Sequence, residues 1–234
     1  MRIVAMADTH LFHDALAAHG RVPDGDVLVH AGDMLQYGSL DELERAIAFL
    51  ASFPHRTKVV VAGNHEVCLE KRPAEARARL ADAGFVYLED EATTIDGVRF
   101  YGSPWQPKFR IWAFGAARGP ELASKWARIP RDLDVLVTHG PPYGFGDTIR
   151  WRDEDRHVGC KDLLARVQIV RPRLHLFGHI HQARGMWTVG PTRFANVTTN
   201  EGEAPATVID LASGPRGDQN ETFGAAVDSG DAAK

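Results

Sequence analysis

Cysteine is scarce: Cys68 and Cys160 are the two in a chain of 234 residues. Two thiols do not make a disulfide framework, and each is expected to behave as a small buried apolar residue. Long apolar runs are missing as well. No stretch approaches the roughly 18 residues needed to cross a bilayer, so no membrane partner is expected. A basic excess is absent: 27 Lys and Arg stand against 31 Asp and Glu, a formal net charge of −4. That balance argues against stable nucleic-acid binding, which favours a basic surface, but leaves a nucleotide admissible as substrate. No internal repeat is evident. The first apolar strand begins at Arg2, which leaves no room for a signal peptide and makes the cytoplasm the expected location.

What the chain does have is a series of short apolar runs. Ile3–Ala7, Val27–Ala31, Lys58–Ala62, Val135–Val137 and Leu174–Phe177 read as buried strands. Helices alternate with them. Ser39-Leu40-Asp41-Glu42 has the spacing of a capping box and opens a helix with Leu40, Leu43, Ile47 and Leu50 on one face. Pro73–Ala83 starts with proline and is followed by Gly84. Pro120–Ala127 and a stretch near 159–170 also read as helices. Thr93–Ile95 and Val98–Tyr101 flank an Asp96-Gly97 turn and predict a hairpin. Residues 104–119 read as an aromatic loop, and a polar loop follows Pro142. Met186–Thr199 and Ala206–Leu211 read as a closing antiparallel set. Strand and helix in alternation predict an α/β fold whose site lies beyond the carboxyl ends of the strands. Residues 1–211 are expected to form one domain, and 212–234, rich in Gly, Ala and Asp, a flexible tail.

The strand ends carry the chemistry. Asp8 and His10 follow the first strand, Gly32-Asp33 the second, Gly63-Asn64-His65-Glu66 the third. Thr138-His139 and Gly178-His179-Ile180-His181 follow two later strands. In extended backbone, residues two apart point the same way, so Asp8 with His10, and His179 with His181, are predicted to share a side. Five of the eleven histidines (10, 65, 139, 179, 181) fall in these places. His30 and His175 lie inside apolar strands and read as core residues. Oxygen and nitrogen donors without sulfur suit Mn, Fe, Zn, Co or Ni. The donors are too many for one ion. Two ions about 3.5–4 Å apart, sharing one carboxylate, would use them all.

These motifs, in this order, resemble those of the calcineurin-like metallophosphoesterases over roughly residues 1–211. Ser103-Pro104-Trp105, Thr138-His139-Gly140-Pro141-Pro142 and Val158-Gly159-Cys160 look closest to the small metallophosphoesterase-domain proteins related to class III cyclic-nucleotide phosphodiesterases. The resemblance implies a four-layer α-β-β-α sandwich of two mixed sheets flanked by helices. It implies two divalent ions, or a mixed iron–divalent pair, with manganese the first choice. Asp8, His10 and His181 would hold one ion, Asn64, His139 and His179 the other, and Asp33 would bridge them. A bridging hydroxide would attack phosphorus, and His65, not a ligand, would assist the leaving group.

In the protein Ser/Thr phosphatases of this superfamily, the Gly-Asp motif continues to a second Asp, which pairs with the catalytic His, and an Arg. Gln36 and Tyr37 stand in those places here, which argues against a protein phosphatase and leaves open what orients His65. The resemblance favours a phosphodiesterase acting on small phosphoesters such as cyclic nucleotides. The alternatives are a broad phosphomonoesterase and a non-catalytic metal-binding scaffold. Trp105, Tyr143 and Arg150 are the candidate substrate contacts, since aromatic faces stack on bases and guanidinium pairs with phosphate. Trp112, Phe145 and Trp151 are further aromatic candidates. A homodimer is the expected assembly.

Overall fold

In the computed structural model, which describes residues 1–18 and 20–212, the apolar runs build two sheets laid face to face. In the first sheet β1 (Arg2–Met6), β2 (Val27–His30), β3 (Thr57–Val60) and β4 (Val86–Tyr87) run parallel. β15 (Thr207–Asp210) pairs antiparallel with the free side of β1. The second sheet contains β5 (Glu91–Ile95), β6 (Val98–Ser103), β9 (Val135–Thr138), β12 (Leu174–Phe177), β13 (Gly185–Val189) and β14 (Thr192–Asn196). Its order is β13-β14-β12-β9-β6-β5, with a parallel centre and antiparallel edges.

The period-two alternation of each strand sorts its side chains into separate layers. From β1 and its extension, Ile3, Ala5 and Ala7 face the other sheet and meet Val135, Val137, Leu174 and Leu176. Val4 and Met6 face the opposite way, onto Leu43, Ile47 and Leu50 of α2 (Leu40–Ala51) and Leu80 of α4 (Pro73–Asp82). On the second sheet, Tyr101, Leu136 and Phe177 face Trp126 of α5 (Pro120–Trp126) and Leu163 and Val167 of α6 (Lys161–Val170). Three apolar interfaces thus separate four layers, α-β-β-α, as the resemblance implies. Each fully buried Val, Leu or Ile in them contributes about 1.5–3 kcal/mol.

The strong local signals appear where the sequence puts them. Ser39 caps α2 with a complete capping box, and Pro73 opens α4. Asp96 and Gly97 take left-handed backbone between β5 and β6. The closing set is split. β13 and β14 form a hairpin in the second sheet, while β15 crosses to the first. The aromatic loop holds a two-residue ribbon, β7 (Gln106–Pro107) with β8 (Gly115–Ala116), and the polar loop holds a hairpin, β10 (Thr148–Trp151) with β11 (Glu154–His157). α1 (His13–Ala18) and α3 (Val67–Lys71), each about one turn, carry no sequence period long enough to read. The tail expected over 212–234 lies, from Ser213 onward, outside the described residues. Among the described residues, no helix is long and apolar enough to cross a membrane.

Candidate metal centre

The carboxyl ends of β1, β2, β3, β9 and β12 meet at one edge of the sandwich. There Ala7 N–H donates to Val197 O at 3.1 Å, which ties one sheet to the other, and Gly178 N–H to His139 O at 2.9 Å, which continues the pairing of β12 with β9. The polar residues that follow these strands converge in three overlapping groups whose donor atoms lie within 4.8 Å of one another. Asp8, His10 and His181 form one, Asp33, His139 and His179 another, and His10, Asp33 and His65 a third. Asp33 is the hinge of the arrangement. Its Oδ2 lies 3.3 Å from His139 Nε2, 3.7 Å from His10 Nε2 and 4.0 Å from His65 Nε2. Asn64 joins the second group, its Oδ1 3.1 Å from His139 Nε2. All seven candidate ligands and His65 are therefore brought together.

They do not arrive as extended-strand neighbours. Asp8, His10, Asp33 and His179 all have positive φ, between 42° and 71°. Left-handed backbone is uncommon outside glycine, though Asp and His tolerate it better than most, and it collects at functional sites. His179 and His181 consequently part company. His179 turns to His139, Nδ1 to Nε2 at 3.1 Å, while His181, at the start of a 3₁₀ turn, places Nε2 3.7 Å from Asp8 Oδ1. The shared side predicted from their spacing is corrected: the chain leaves the strand at Gly178, so alternation no longer applies. Gly63 and Gly178 are fixed by close approach. A Cβ at Gly63 would stand 2.3 Å from Asp33 Oδ1, and one at Gly178 2.5 Å from Asp8 Oδ2.

Backbone carbonyls set the imidazoles. His10 Nδ1–H donates to Leu35 O at 3.1 Å, His139 Nδ1–H to Ala31 O at 3.0 Å, and His65 Nδ1–H to Gln36 O at 2.6 Å. Each ring is thereby left with Nε2 aimed at Asp33. Backbone N–H groups set the carboxylates: His65 N–H holds Asp33 Oδ1 at 2.8 Å, and His179 N–H spans both oxygens of Asp8 at 3.0 Å. What orients His65 is therefore the carbonyl of Gln36, and Trp112 stacks on its face with ring centroids 4.1 Å apart. Lone-pair atoms of His10, His139 and His179 crowd against the buried carboxylates of Asp8 and Asp33. Such a cluster needs positive charge at its centre, from protons or from cations. Burial opposes a charge on His139, but Asp33 beside it pushes its pKa up to about 9. Burial likewise opposes ionisation of Asp33, and His139, His65 and His10 hold its carboxyl below the usual range. Burial and His139 push His179 down to about 4, leaving it neutral and able to ligate. The donor set fits two divalent ions sharing Asp33.

The profile described as calcineurin-like phosphoesterase matches residues 1–183. The chain belongs to the calcineurin-like phosphoesterase family. It is 38% identical over 236 residues to human metallophosphoesterase domain-containing protein 1, covering 90% of this chain and 71% of that one. It is also 38% identical over 209 residues to a UPF0046 protein of Caenorhabditis elegans, covering 84% of this chain and 69% of that one. In fold it resembles TT1561 of Thermus thermophilus, with a TM-score of 0.56, 13% identity, and coverage of 86% and 90% of the two chains. A putative 5′-nucleotidase of Staphylococcus aureus is similar at a TM-score of 0.53 and 13% identity, with 89% of this chain and 52% of that one covered. Calcineurin-like phosphoesterases act on phosphoester bonds with divalent metal ions, and the metal-binding hydrolase reading holds at that level.

Of the aromatic and basic candidates, Trp112 stacks on His65 at this centre, and Trp105, Tyr143, Phe145 and Arg150 each hold partners elsewhere. Trp105 donates its indole N–H to Asp90 Oδ2 at 2.9 Å, and its ring meets Lys125 Nζ at 3.5 Å and the edge of Phe114. Arg150 is tied to Asp155 and Asp153 within the β10–β11 hairpin. Tyr143 has Lys161 Nζ 4.7 Å above its ring and His157 beside it. Phe145 is buried against Phe194. Local aromatic and basic content did not reveal these tertiary partners. One supporting residue carried a signal that its motif did not explain. Glu66, fully buried, accepts from Asp33 N–H at 2.8 Å, Leu35 N–H at 3.0 Å and Gly63 N–H, joining the β2 and β3 ends. An acidic residue directly after Gly63-Asn64-His65 and ahead of the apolar Val67-Cys68-Leu69 was that signal.

Proposed function

We propose that the chain is a dinuclear-metal phosphodiesterase acting on small phosphodiesters, cyclic nucleotides among them, with manganese as a competent ion. The observation that carries this reading is the pair of donor groups Asp8/His10/His181 and Asp33/His139/His179, with Asp33 Oδ2 also 3.7 Å from His10 and 4.0 Å from His65. Asp8, His10 and His181 would hold one ion, Asn64, His139 and His179 the second, and Asp33 both. Bound there, divalent ions supply an acidified water and charge for phosphoryl oxygens. The chain's own residues do the rest. His65 Nδ1–H is committed to Gln36 O, so the mobile proton sits at Nε2, from which it passes to the departing alkoxide. Trp112 covers one face of that ring and keeps water from it. A largely apolar cleft beside His179 favours a diester over a monoester, because it offers room for a second substituent.

The test is hydrolysis of bis(p-nitrophenyl) phosphate beside p-nitrophenyl phosphate, by metal-free protein refilled with Mn²⁺. Faster diester turnover, lost on chelation, is the expected result. Preference for the monoester would make this a phosphomonoesterase. No turnover of either with two ions bound would leave a metal-binding scaffold.

A further inference from the structure

A cleft of about 380 Å³ opens beside the second donor group and is lined in part by His179 and Ile180. Phe109 and Pro141 line it, with Ile149 and Val158 from the hairpin side and Lys108 beside Phe109. Phe109 is 54% exposed and belongs to no core cluster, with the Arg110 guanidinium 5.1 Å from its ring centre. The walls are fixed. Arg118 donates to Gly159 O at 2.7 Å and to Val158 O, and Lys108 N–H to Ala116 O at 2.8 Å. Neither His65 nor His10 reaches this cleft.

The two ends of the site therefore have different duties. The leaving oxygen must come within proton-transfer reach of His65 Nε2, on the His10 side of Asp33. Whatever occupies the cleft beside His179 is a different part of the substrate. We infer that the cleft holds the ester substituent that stays on phosphorus, and that Phe109 and Ile149 select a flat aromatic one. This rests on the phosphodiesterase reading and names its substrate class: a phosphodiester whose retained group carries an aryl ring or a nucleobase. In the reaction a water oxygen bonds to phosphorus and the bond from phosphorus to the leaving oxygen breaks. That oxygen takes the proton from His65, and the water's proton goes to solvent. The product is a phosphomonoester still bearing the aromatic group. An apolar slot lined by one exposed ring and by Lys108 suits a stacked planar group beside a phosphate.

Three diesters with one leaving group and different retained groups test this: methyl p-nitrophenyl phosphate, bis(p-nitrophenyl) phosphate and thymidine 5′-(p-nitrophenyl phosphate). Release of p-nitrophenolate gives kcat/KM for each on the Mn²⁺-loaded protein. The expected result is a preference of about 10- to 200-fold for an aromatic retained group over methyl, the range open to an apolar pocket. Which of the aryl and nucleoside esters leads identifies the source of the ring. Phe109→Ala, which removes no core contact, and Ile149→Trp, which fills the cleft, should each collapse that ratio toward one. A methyl ester turned over as fast as the others, or a preference that survives both variants, would overturn the assignment. No turnover of any diester with two ions bound would instead remove the phosphodiesterase reading, and this inference with it.

Discussion

Glu66 has no exposed surface, and its two oxygens answer three backbone N–H groups on two different strand ends. Burial, with Asp33 nearby, pushes its carboxyl up to about 7, a cost the fold carries to keep those loops in register. Glu66→Gln turns one acceptor into a donor that faces an N–H. A buried donor left unmatched costs about 1–3 kcal/mol. Urea unfolding of the metal-free variant should report that loss, and the bound-metal count should fall because Asp33 loses its backbone anchor. His65→Ala isolates a different function. Turnover should fall by roughly 10²- to 10⁴-fold while both ions stay bound, as measured by elemental analysis after gel filtration. Unchanged turnover would sink the proton-donor role. Both residues stand in the readable Gly63-Asn64-His65-Glu66 motif, but the motif distinguishes neither ligand from proton donor nor either from strut. That distinction lies in the Gln36 carbonyl and the three N–H groups, most of which come from the loop after β2.

At the scale of elements, the site is made by strands ending early. β12 stops at Phe177, Gly178 passes between Ala7 and Asp8, and His179 turns left-handed. A Cβ on Gly178 would meet Ala7 Cβ at 2.4 Å and Asp8 Oδ2 at 2.5 Å. Gly178→Ala should therefore displace Asp8, destabilise the protein by about 1–3 kcal/mol and lower the bound-metal count. Full metal occupancy with unaltered stability would contradict it. The long strands, α2 and α4 were legible because burial on one face leaves a period of two or 3.6 in the residues. The β10–β11 hairpin was not. Thr148 to His157 reads as a charged loop, and every residue of β11 is exposed, so no apolar alternation marks it. The short β7–β8 ribbon is likewise set by tertiary bonds: Ala113 N–H to Asn64 O at 3.0 Å and Phe114 N–H to Glu70 at 2.7 Å. Those two bonds carry Trp112 to His65, which is why its aromatic character alone pointed to a substrate rather than to the catalytic ring.

For the whole molecule, acid is the weakness. His175 is fully buried between Phe177 and Phe194, with Nε2 bonded to Thr138 Oγ1 at 2.9 Å and Nδ1 without a partner. Its reading as a core histidine from sequence stands, although only one nitrogen is satisfied. Burial pushes its pKa down to about 3. The unfolded chain, with an ordinary histidine pKa near 6.5, therefore binds a proton that the folded state refuses. Stability is full above that value and is lost as pH falls toward about 3. At pH 5 this one residue should cost about 2 kcal/mol, at 1.36 kcal/mol per pH unit below 6.5. His30, which burial lowers to about 3, acts in the same direction, so the share of His175 is read from the variant: His175→Leu should shrink the pH 7 to pH 5 loss of urea stability of the metal-free protein by about 2 kcal/mol. An equal drop in the variant would place the acid sensitivity elsewhere.

The first strand of the chain is also the last to be completed. Arg2 pairs with Asp210, Ala7 with Thr198, and the carboxylate of Asp8 meets the backbone of His179, 171 residues downstream. On a ribosome adding about 5–20 residues per second, Asp8 thus waits roughly 9–34 s for its neighbours. Through that interval one edge of β1 stays unpaired and exposed to other chains. An ion held by both Asp8 and His181 can be taken up only after His181 has been made and brought back to β1, so metal content would double as a record of which molecules closed that site.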